Sequence, residues 1–500
     1  CGLLACLAIA LPIGAPVPAH ASVLDDTPYA TDPEFQGGAI AGDAYAANLT
    51  GANRNSTARR VVLGSNGETI VASLVKQPGG AQTNGLWNLG LARYSATGAR
   101  LTWSNPGPAY GHFNNQYLVY PNGAGALYRE IRGLVRVNDN LVVLVEAQST
   151  AGPDLTLMVF GMDGSFRAGL TPFLLEHSEG GALAYYPGDG GEQIVVVGNI
   201  LTPGGPARSR PVFRRYQLAT SGVLTAQTPR VDLAMPGCTN ASRECFVTAV
   251  ASTTGLFTDT PRIYAAGIYR APEPANEFAL VGRFDAGGNR LASFNPSNVI
   301  YSLTDTAVGI GYTRPVDLGL RERHFPSNDQ VFLLAAISRP CRPGAVLNKM
   351  DHFGVSSTTV RFGGSAATGD ICALVNRTSD YPTAIEVAAS RVAVIGYAQT
   401  VPLLGGEPVV DGSLTVFENS LTSGAMSMLD MRDFSHPIGG PREQYFTPWG
   451  ITAGAGAGRF TAVGSLRYPD RDEVPANLRG KFYTAITRFR PDRIFGNGLD

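Results

Sequence analysis

This sequence predicts an all-β chain made of one short unit repeated many times, and three observations carry that reading. The first is recurrence. A strand-like run closing on an aromatic or large apolar residue, followed by a Gly-bearing turn, appears as LARYSATG (91–98), LMVFGMDG (157–164), FRRYQLATSG (213–222), VGRFDAGG (281–288), LNKMDHFG (347–354), LTVFENSLTSG (414–424) and ITRFRPDRIFG (486–496). The second is spacing: with Tyr94, Phe160, Tyr216, Phe284, Met350, Phe417 and Phe489 as anchors, the intervals are 66, 56, 68, 66, 67 and 72 residues. The third is composition. Sixty Gly and 34 Pro in 500 residues call for many turns, while 44% hydrophobic content is too high for a disordered chain.

Each unit resolves into strands in the same order. Upstream of the anchors lie TIVASLV (69–75), LVVLV (141–145), QIVVVG (193–198), RIYAAG (262–267), QVFLLAA (330–336), RVAVIG (391–396) and RFTAVG (459–464). Their β-branched and aromatic residues, bounded by Gly, Asn and Asp, are a strand signature. Before them come shorter runs such as RRVVL (59–63), IRGLVRV (131–137), FVTAVA (246–251) and AIEVAA (384–389), joined through turns such as GSNGE (64–68) and VNDN (137–140), so the two runs pair as a hairpin. The anchor run is the third strand, and RLTWS (100–104) or RLASF (290–294) supplies a fourth. Four antiparallel strands repeated radially make a β-propeller blade, and the anchor count gives seven blades, with six or eight as the alternatives. A solenoid needs shorter rungs, and a string of sandwich domains about 100 residues per unit.

The pattern of a V-x-G strand, a loop, and then (L/V)xR(Y/F) with a following Gly, seen in LGLARYSATG, ALVGRFDAGG and YTAITRFRPD, resembles the bacterial delta-60 β-propeller repeats of secreted and surface proteins. The resemblance runs over most of 59–489. It departs at 347–354 and 414–424, which lack the Arg, and its spacing exceeds 60. It implies a fold and no catalytic residues. The ending DRIFGNGLD (492–500) is similar to the short tails of many exported proteins of xanthomonad-like bacteria; a turn of the next repeat is the competing reading.

The chain divides accordingly. An apolar run at 3–13 followed by Ala19, His20 and Ala21 reads as a signal peptide over 1–21 whose charged n-region is missing, with cleavage after Ala21. Cys6 follows Leu3, Leu4 and Ala5 as in a lipoprotein box, but the apolar stretch continues well past it. No other segment approaches the roughly 20 apolar residues of a membrane helix. Residues 22–58 form an N-terminal segment from which GAIAGDAYAANL (38–49) could close the ring, 59–490 form the propeller, and 491–500 the tail. With 39 basic and 40 acidic residues the net charge of -1 provides no global field for nucleic acid or an anionic membrane.

After the leader, Cys238, Cys245, Cys341 and Cys372 remain, an even count for an oxidising compartment. Of three connectivities, proximity favours Cys238 with Cys245, leaving Cys341 for Cys372; four reduced thiols are the alternative, and no CxxC spacing supports zinc. If the strands run from axis to rim, the connections after second and fourth strands share one face. The long segments fall largely there, and loops on a rigid scaffold are where recognition resides. Within them AYGHFNNQYLVY (109–120) gathers Tyr110, His112, Phe113, Tyr117 and Tyr120, flat apolar rings with polar tips suited to ligand contact or to packing over the sheet. Asp470, Asp472 and Glu473 lack the ligand order of a calcium loop, and His177, His324, His352 and His436 are scattered. No metal or cofactor is expected.

Among motifs, no GxSxG elbow, HExxH helix, P-loop or sustained Rossmann fingerprint occurs, and Ser73 with Lys76 matches SxxK on an alternating strand without its companion KTG element. The function expected is therefore that of an exported, non-enzymatic propeller binding a protein or carbohydrate at the cell surface through its long-loop face. A hydrolase or lyase acting on polysaccharide or peptide, with acid and base at the central channel, is one alternative. A structural or adhesive module is another. The residues lining the axis discriminate between them, carboxylates favouring chemistry and small apolar side chains favouring binding.

Overall fold

The computed structural model describes residues 29–31, 56–76, 87–107, 111–112, 115–120, 127–149, 152–175, 178–188, 190–201, 209–235, 238, 244–254, 261–270, 277–294, 312–321, 329–338, 344–362, 377–388, 390–401, 409–419, 425–434, 445–454, 458–467 and 482–491. The strands among them follow one another as antiparallel meanders. After β1 (Tyr29–Thr31), the first group holds β2 (Ser56–Leu63), β3 (Thr69–Lys76) and β4 (Trp87–Tyr94), with the short β5 (Arg100–Leu101), β6 (Gly111–His112) and β7 (Tyr117–Tyr120). The second holds β8 (Leu127–Val137), β9 (Asn140–Ser149), β10 (Gly152–Gly161) and β11 (Phe166–Leu175). Then come β12 (Ser178–Gly188), β13 (Gly191–Leu201), β14 (Ser209–Leu218), β15 (Leu224–Ala226) and β16 (Val231–Asp232). β17 (Glu244–Thr254), β18 (Pro261–Arg270) and β19 (Glu277–Phe284) form a three-stranded sheet. Two four-stranded sheets come next, one of β20 (Tyr312–Arg321), β21 (Gln330–Ser338), β22 (Gly344–Met350) and β23 (Ser356–Phe362), the other of β24 (Arg377–Ala388), β25 (Arg391–Val401), β26 (Val409–Asn419) and β27 (Met426–Phe434). β28 (Tyr445–Ala453), β29 (Phe460–Arg467) and β30 (Phe482–Pro491) end the series, and β1 joins this last sheet against Phe489–Pro491 of β30. A single pair, Trp87 with Tyr128, links the first two groups into one ten-stranded sheet.

Burial explains why the sheets stack. Successive side chains of a strand point to opposite faces, and in β9 Leu141, Val143 and Val145 join a core with the first group while Val142 and Leu144 join a core with β12–β14. Every apolar cluster lies between consecutive groups in this way, including one in which Val463 and Ile486 of the last sheet meet Val61, Val71 and Tyr94 of the first. All the repeat anchors, Tyr94, Phe160, Tyr216, Phe284, Met350, Phe417 and Phe489, are at most 2% exposed. The first strands pack in a cycle: β2 on β8, β8 on β12, β12 on β17, β17 on β20, β20 on β24, β24 on β28, and β28 on β2.

The Gly-bearing turns have two physical reasons. In five of them, the Gly amide donates three residues back, as Gly98 to Ser95, Gly164 to Gly161, Gly222 to Ala219, Gly288 to Asp285 and Gly354 to Asp351, and the Gly takes positive φ, between 82° and 95°. A Cβ would also collide with the preceding group, 2.8 Å from Trp103 Cβ at Gly164 and 2.6 Å from Phe213 Cδ1 at Gly288. Three arginines of the repeat motif reach into the same turns, whereas Arg215 donates to Tyr186 Oη at 3.2 Å. Arg93 donates to the Met162 carbonyl at 3.0 Å, Arg283 to the His352 carbonyl at 3.0 Å, and Arg488 to the Ala96 carbonyl. Each acceptor is the second residue of the following group's turn. Where the motif position is Val159, Arg167 of β11 takes over and donates to Thr220 O at 3.2 Å.

The fourth strands depart from expectation. RLTWS yields only the two-residue β5, and β7 completes the outer pairing of β4. RLASF forms no strand beyond an isolated bridge between Phe284 and Arg290. Instead the Phe294 amide donates to Leu291 O, and this turn buries the Phe294 ring against Gly354 and Tyr264. Packing of the aromatic under the neighbouring turn prevails over extension of the strand. The expected closing segment 38–49 and residues 1–28 and 492–500 lie outside the described residues. No helix among the described residues is long and apolar enough to cross a membrane.

Candidate functional site at the axis

The innermost strands share an irregularity near their starts. Pairing slips at Arg59 in β2, at Arg129 and Arg132 in β8, at Gly180 and Gly181 in β12, at Thr248 in β17, at Val316 in β20, at Thr383 in β24 and at Trp449 in β28. A bulge adds one residue and re-aims the strand, so equivalent positions around the axis come directly after it. These are Arg60, Gly133, Ala182, Ala249, Asp317, Ala384 and Gly450. Small residues dominate because the neighbouring strand comes close; a Cβ on Gly133 would stand 2.3 Å from Leu183 Cβ. Asp317 and Arg60 are the charged exceptions, and Glu386 of β24 lies two positions beyond Ala384.

Each of these charged groups holds main-chain atoms of an adjoining strand. Arg60 donates from Nε to Arg132 O at 3.3 Å and from a terminal nitrogen to Trp449 O at 3.2 Å, gripping both neighbours of β2. Asp317 accepts from the amides of Leu318 at 2.9 Å and of Ile385, on β24, at 3.2 Å. Glu386 accepts from the Ala453 amide on β28. These side chains are half-buried. Burial raises Asp317 above its ordinary value, against the Ile385 and Leu318 amides and the Arg60 charge. Burial, reinforced by the charge of Asp317, pushes Glu386 up to about 8.

The same end of the axis carries a second set of charges. Arg59 pairs with Glu130 at 3.1 Å and lies over the Trp449 ring, 4.4 Å from its centroid. Arg132 pairs with the buried Glu146 at 2.6 Å, and Glu146 also accepts from the Gly180 amide at 3.0 Å, tying β8, β9 and β12. Farther out, Glu277 receives Arg270 at 2.8 Å and is bonded by Arg314 of β20, while Arg270 also reaches Glu244 at 2.6 Å. Burial pulls Glu277 upward, but the hydrogen bonds from Arg314 and Arg270 outweigh it and hold the carboxyl below its usual range. Glu244 adjoins Cys245, whose sulfur is bonded to that of Cys238. Cys341 and Cys372 lie outside the described residues.

The aromatic set of 109–120 is divided. Tyr117 on β7 is fully buried among Val71, Val75 and Ala92, and Tyr120 is half-buried, stacked on Phe166 at 4.6 Å and edge-on to Phe160 at 5.7 Å. His112 falls on β6, paired with Tyr117. Tyr110 and Phe113 lie outside the described residues, as do His177, His324, His436, Asp470, Asp472 and Glu473. His352 sits in the β22–β23 turn with its ring against Phe353. The axial residues Arg60, Asp317 and Glu386 escaped sequence reasoning, although a charge inside an otherwise apolar strand, as in PVDLGL and AIEVAA, was the available signal.

Stacked antiparallel meanders whose first strands pack in a cycle define a β-propeller fold. No family model matches the chain, and no curated protein matches it. Among solved structures it is similar to the β-propeller domain of the Trilobed protease from Pyrococcus furiosus, at 7% identity over 86% of this chain and 93% of that one, with a TM-score of 0.41. It is also similar to the Penicillium chrysogenum alpha-L-arabinanase complexed with arabinobiose, at 11% identity over 77% and 96%, TM-score 0.38. The Plexin A4 extracellular region matches at 7% identity over 89% of this chain and 46% of that one, TM-score 0.41.

Proposed function

We propose that this chain is an exported, closed seven-bladed β-propeller of the delta-60 repeat kind, binding a protein or carbohydrate of the cell envelope through the face of its long connections. The observation that carries the reading is the use made of the axial charges. Arg60, Asp317 and Glu386 grip main-chain atoms of adjoining strands, so they brace a scaffold whose long segments stand between second and third strands and between successive groups. The cycle of packed first strands and the contact of Val463 and Ile486 with the first group support closure and the blade number. Leader removal after Ala21 and the tail at 492–500 belong to the same reading, the tail as a sorting signal. The test is binding of the full chain to glycan arrays and to envelope extracts, repeated after exchange of the 77–86 and 402–408 segments for short Gly-Ser links. Binding lost on exchange supports the reading, and binding indifferent to both exchanges refutes the assignment of the face.

A second reading, hydrolysis or elimination on a polysaccharide or peptide, is favoured by one observation. Glu386, held protonated near neutrality, lies near Asp317 on the axis, as an acid and its partner must. Turnover of a polysaccharide or peptide library that disappears in both Glu386→Gln and Asp317→Asn would establish it.

A further inference from the structure

We propose that Arg59, Arg132 and Trp449 form a binding site for an acidic sugar at the mouth of the axis, taking a uronate unit of an envelope polysaccharide. This site rests on the binding reading proposed above, whose ligand class it narrows. Pairing slips at each of the three residues, on the neighbouring first strands β28, β2 and β8. One guanidinium gathers them. Arg60 donates to the carbonyls of Arg59 at 2.9 Å, Trp449 at 3.2 Å and Arg132 at 3.3 Å, so the three side chains leave a common hub near the starts of strands that follow the long connections.

Arg59 has hydrogen-bonding capacity to spare. Its buried Nε stands 3.1 Å from Glu130 Oε1 without making a hydrogen bond, and neither terminal nitrogen donates to any described residue. Glu130 Oε1 is instead held by the Ile131 amide at 3.0 Å. Arg132 commits Nε and Nη2 to Glu146, at 2.8 and 2.6 Å, which leaves Nη1. Both arginine side chains reach solvent, at 18% and 32% exposure. A buried donor without a partner is costly, and the parallel N–H groups of a guanidinium match the two oxygens of a carboxylate. Burial disfavours the charge of Arg59, Glu130 opposes that effect, and Arg60 and Arg132 add to it, so an arriving anion would act with Glu130.

Trp449 selects among anions. Arg59 lies 4.4 Å from its ring centroid, its Nε1 donates to Ser465 Oγ at 3.2 Å, and the half-buried indole leaves part of its surface in solvent. A uronate carries its carboxylate directly on a pyranose ring with an apolar C–H face, so charge and ring arrive together beside Arg59 and Trp449. An Asp or Glu side chain brings the charge on a flexible stem without a ring, and loses more freedom on binding.

The test is calorimetric titration of the full chain with trimers of galacturonate, glucuronate and mannuronate, with their methyl esters, and with a tri-glutamate peptide. At least one uronate should bind about tenfold or more tighter than its uncharged ester, and Arg59→Ala should remove that preference. Trp449→Ala should weaken acid and ester alike. Failure of every uronate to bind, equal affinity for acid and ester, an unchanged preference in Arg59→Ala, or tri-glutamate bound as tightly as the best uronate overturns the proposal. If Arg59→Ala fails to fold, fluorine resonance of the 5-fluorotryptophan-labelled wild type decides. The chain has three Trp, and the Trp449 signal, assigned through Trp449→Phe, should move with the acid; an unmoved signal refutes the site. Repeating the titration after exchange of the 77–86 and 402–408 segments separates the two claims. Uronate binding that survives the exchanges but not Arg59→Ala upholds the axial site while the assignment of the face falls. Envelope binding lost on exchange but untouched by Arg59→Ala does the reverse.

Discussion

The guanidinium of Arg488, on the last described strand, donates to the carbonyl of Ala96 in the first group's turn, 392 residues away in sequence. The same side chain, 5% exposed, also reaches Thr461 Oγ1 at 3.4 Å and Thr69 Oγ1 at 3.5 Å. Its repeat equivalents Arg93 and Arg283 make the matching bond between consecutive groups. One motif position thus joins the last described sheet to the first group by the bond it uses at Arg93 and Arg283.

Arg488→Ala should destabilise the protein by about 2–4 kcal/mol, since it removes a buried donor from several acceptors at once. Denaturant unfolding measures the loss. Arg488→Lys should recover little of it, because one ammonium cannot span three acceptors set around a planar fork.

The turn glycines and the axial glycines should fail for different reasons. Gly288→Ala meets both the positive φ of 83° and the Phe213 ring, and should cost about 1–3 kcal/mol. Gly133→Val overfills the contact with Leu183 and should cost a similar amount through packing alone. A crystal structure of each variant separates a changed turn from a displaced strand.

Tyr117→Ala should lower stability by about 3–5 kcal/mol, the cost of emptying a buried aromatic site. Calorimetry of the variant distinguishes this from a ligand-contact role, which would leave the melting temperature near that of the wild type.

Acid should loosen the outer charge network. The folded-state carboxyl of Glu277 is depressed by Arg314 and Arg270, so its contribution is present above its unfolded value of about 4.5 and is lost as pH falls through the lower folded value. Glu277→Gln should lower stability above about pH 4.5, where the contribution is present, and flatten the decline of stability on acidification below it, so that the variant and wild-type curves converge in acid.

Reduction of the Cys238–Cys245 bond, or Cys245→Ser, should cost about 2 kcal/mol, in keeping with the short loop it closes. Limited proteolysis should then cut first between the two positions. An unchanged digestion pattern would count against a constraining role.

The repeat was legible because its anchors face a core on every occasion: a large residue at Tyr94, Phe284 or Phe489 reports burial directly, and the β-branched runs before it report strands. The axis was not legible in that way. Bulges at Arg59, Thr248, Val316, Thr383 and Trp449 shift the alternation of each first strand, so a count of every second residue assigns the rest of the strand to the wrong faces. Arg60, Asp317 and Glu386 also come from groups far apart in sequence, and their proximity exists only once the cycle forms. The fourth strand was misread at 290–294 because Leu291 and Phe294 have strand-like character, while the tertiary contact that claims Phe294 lies in the following turn.

Since the motif arginines grip carbonyl oxygens, the residue contributing the acceptor is free to differ: it is Met at 162, His at 352 and Ala at 96. At these three joints neighbouring units are consequently fastened without matching of side chains, although pairs such as Glu277 with Arg314 and Arg262 with Asp329 add side-chain bonds at one seam. A unit could be duplicated, exchanged with another or diversified at its turn, and the joint would still engage, which makes this architecture a ready substrate for evolution by copying.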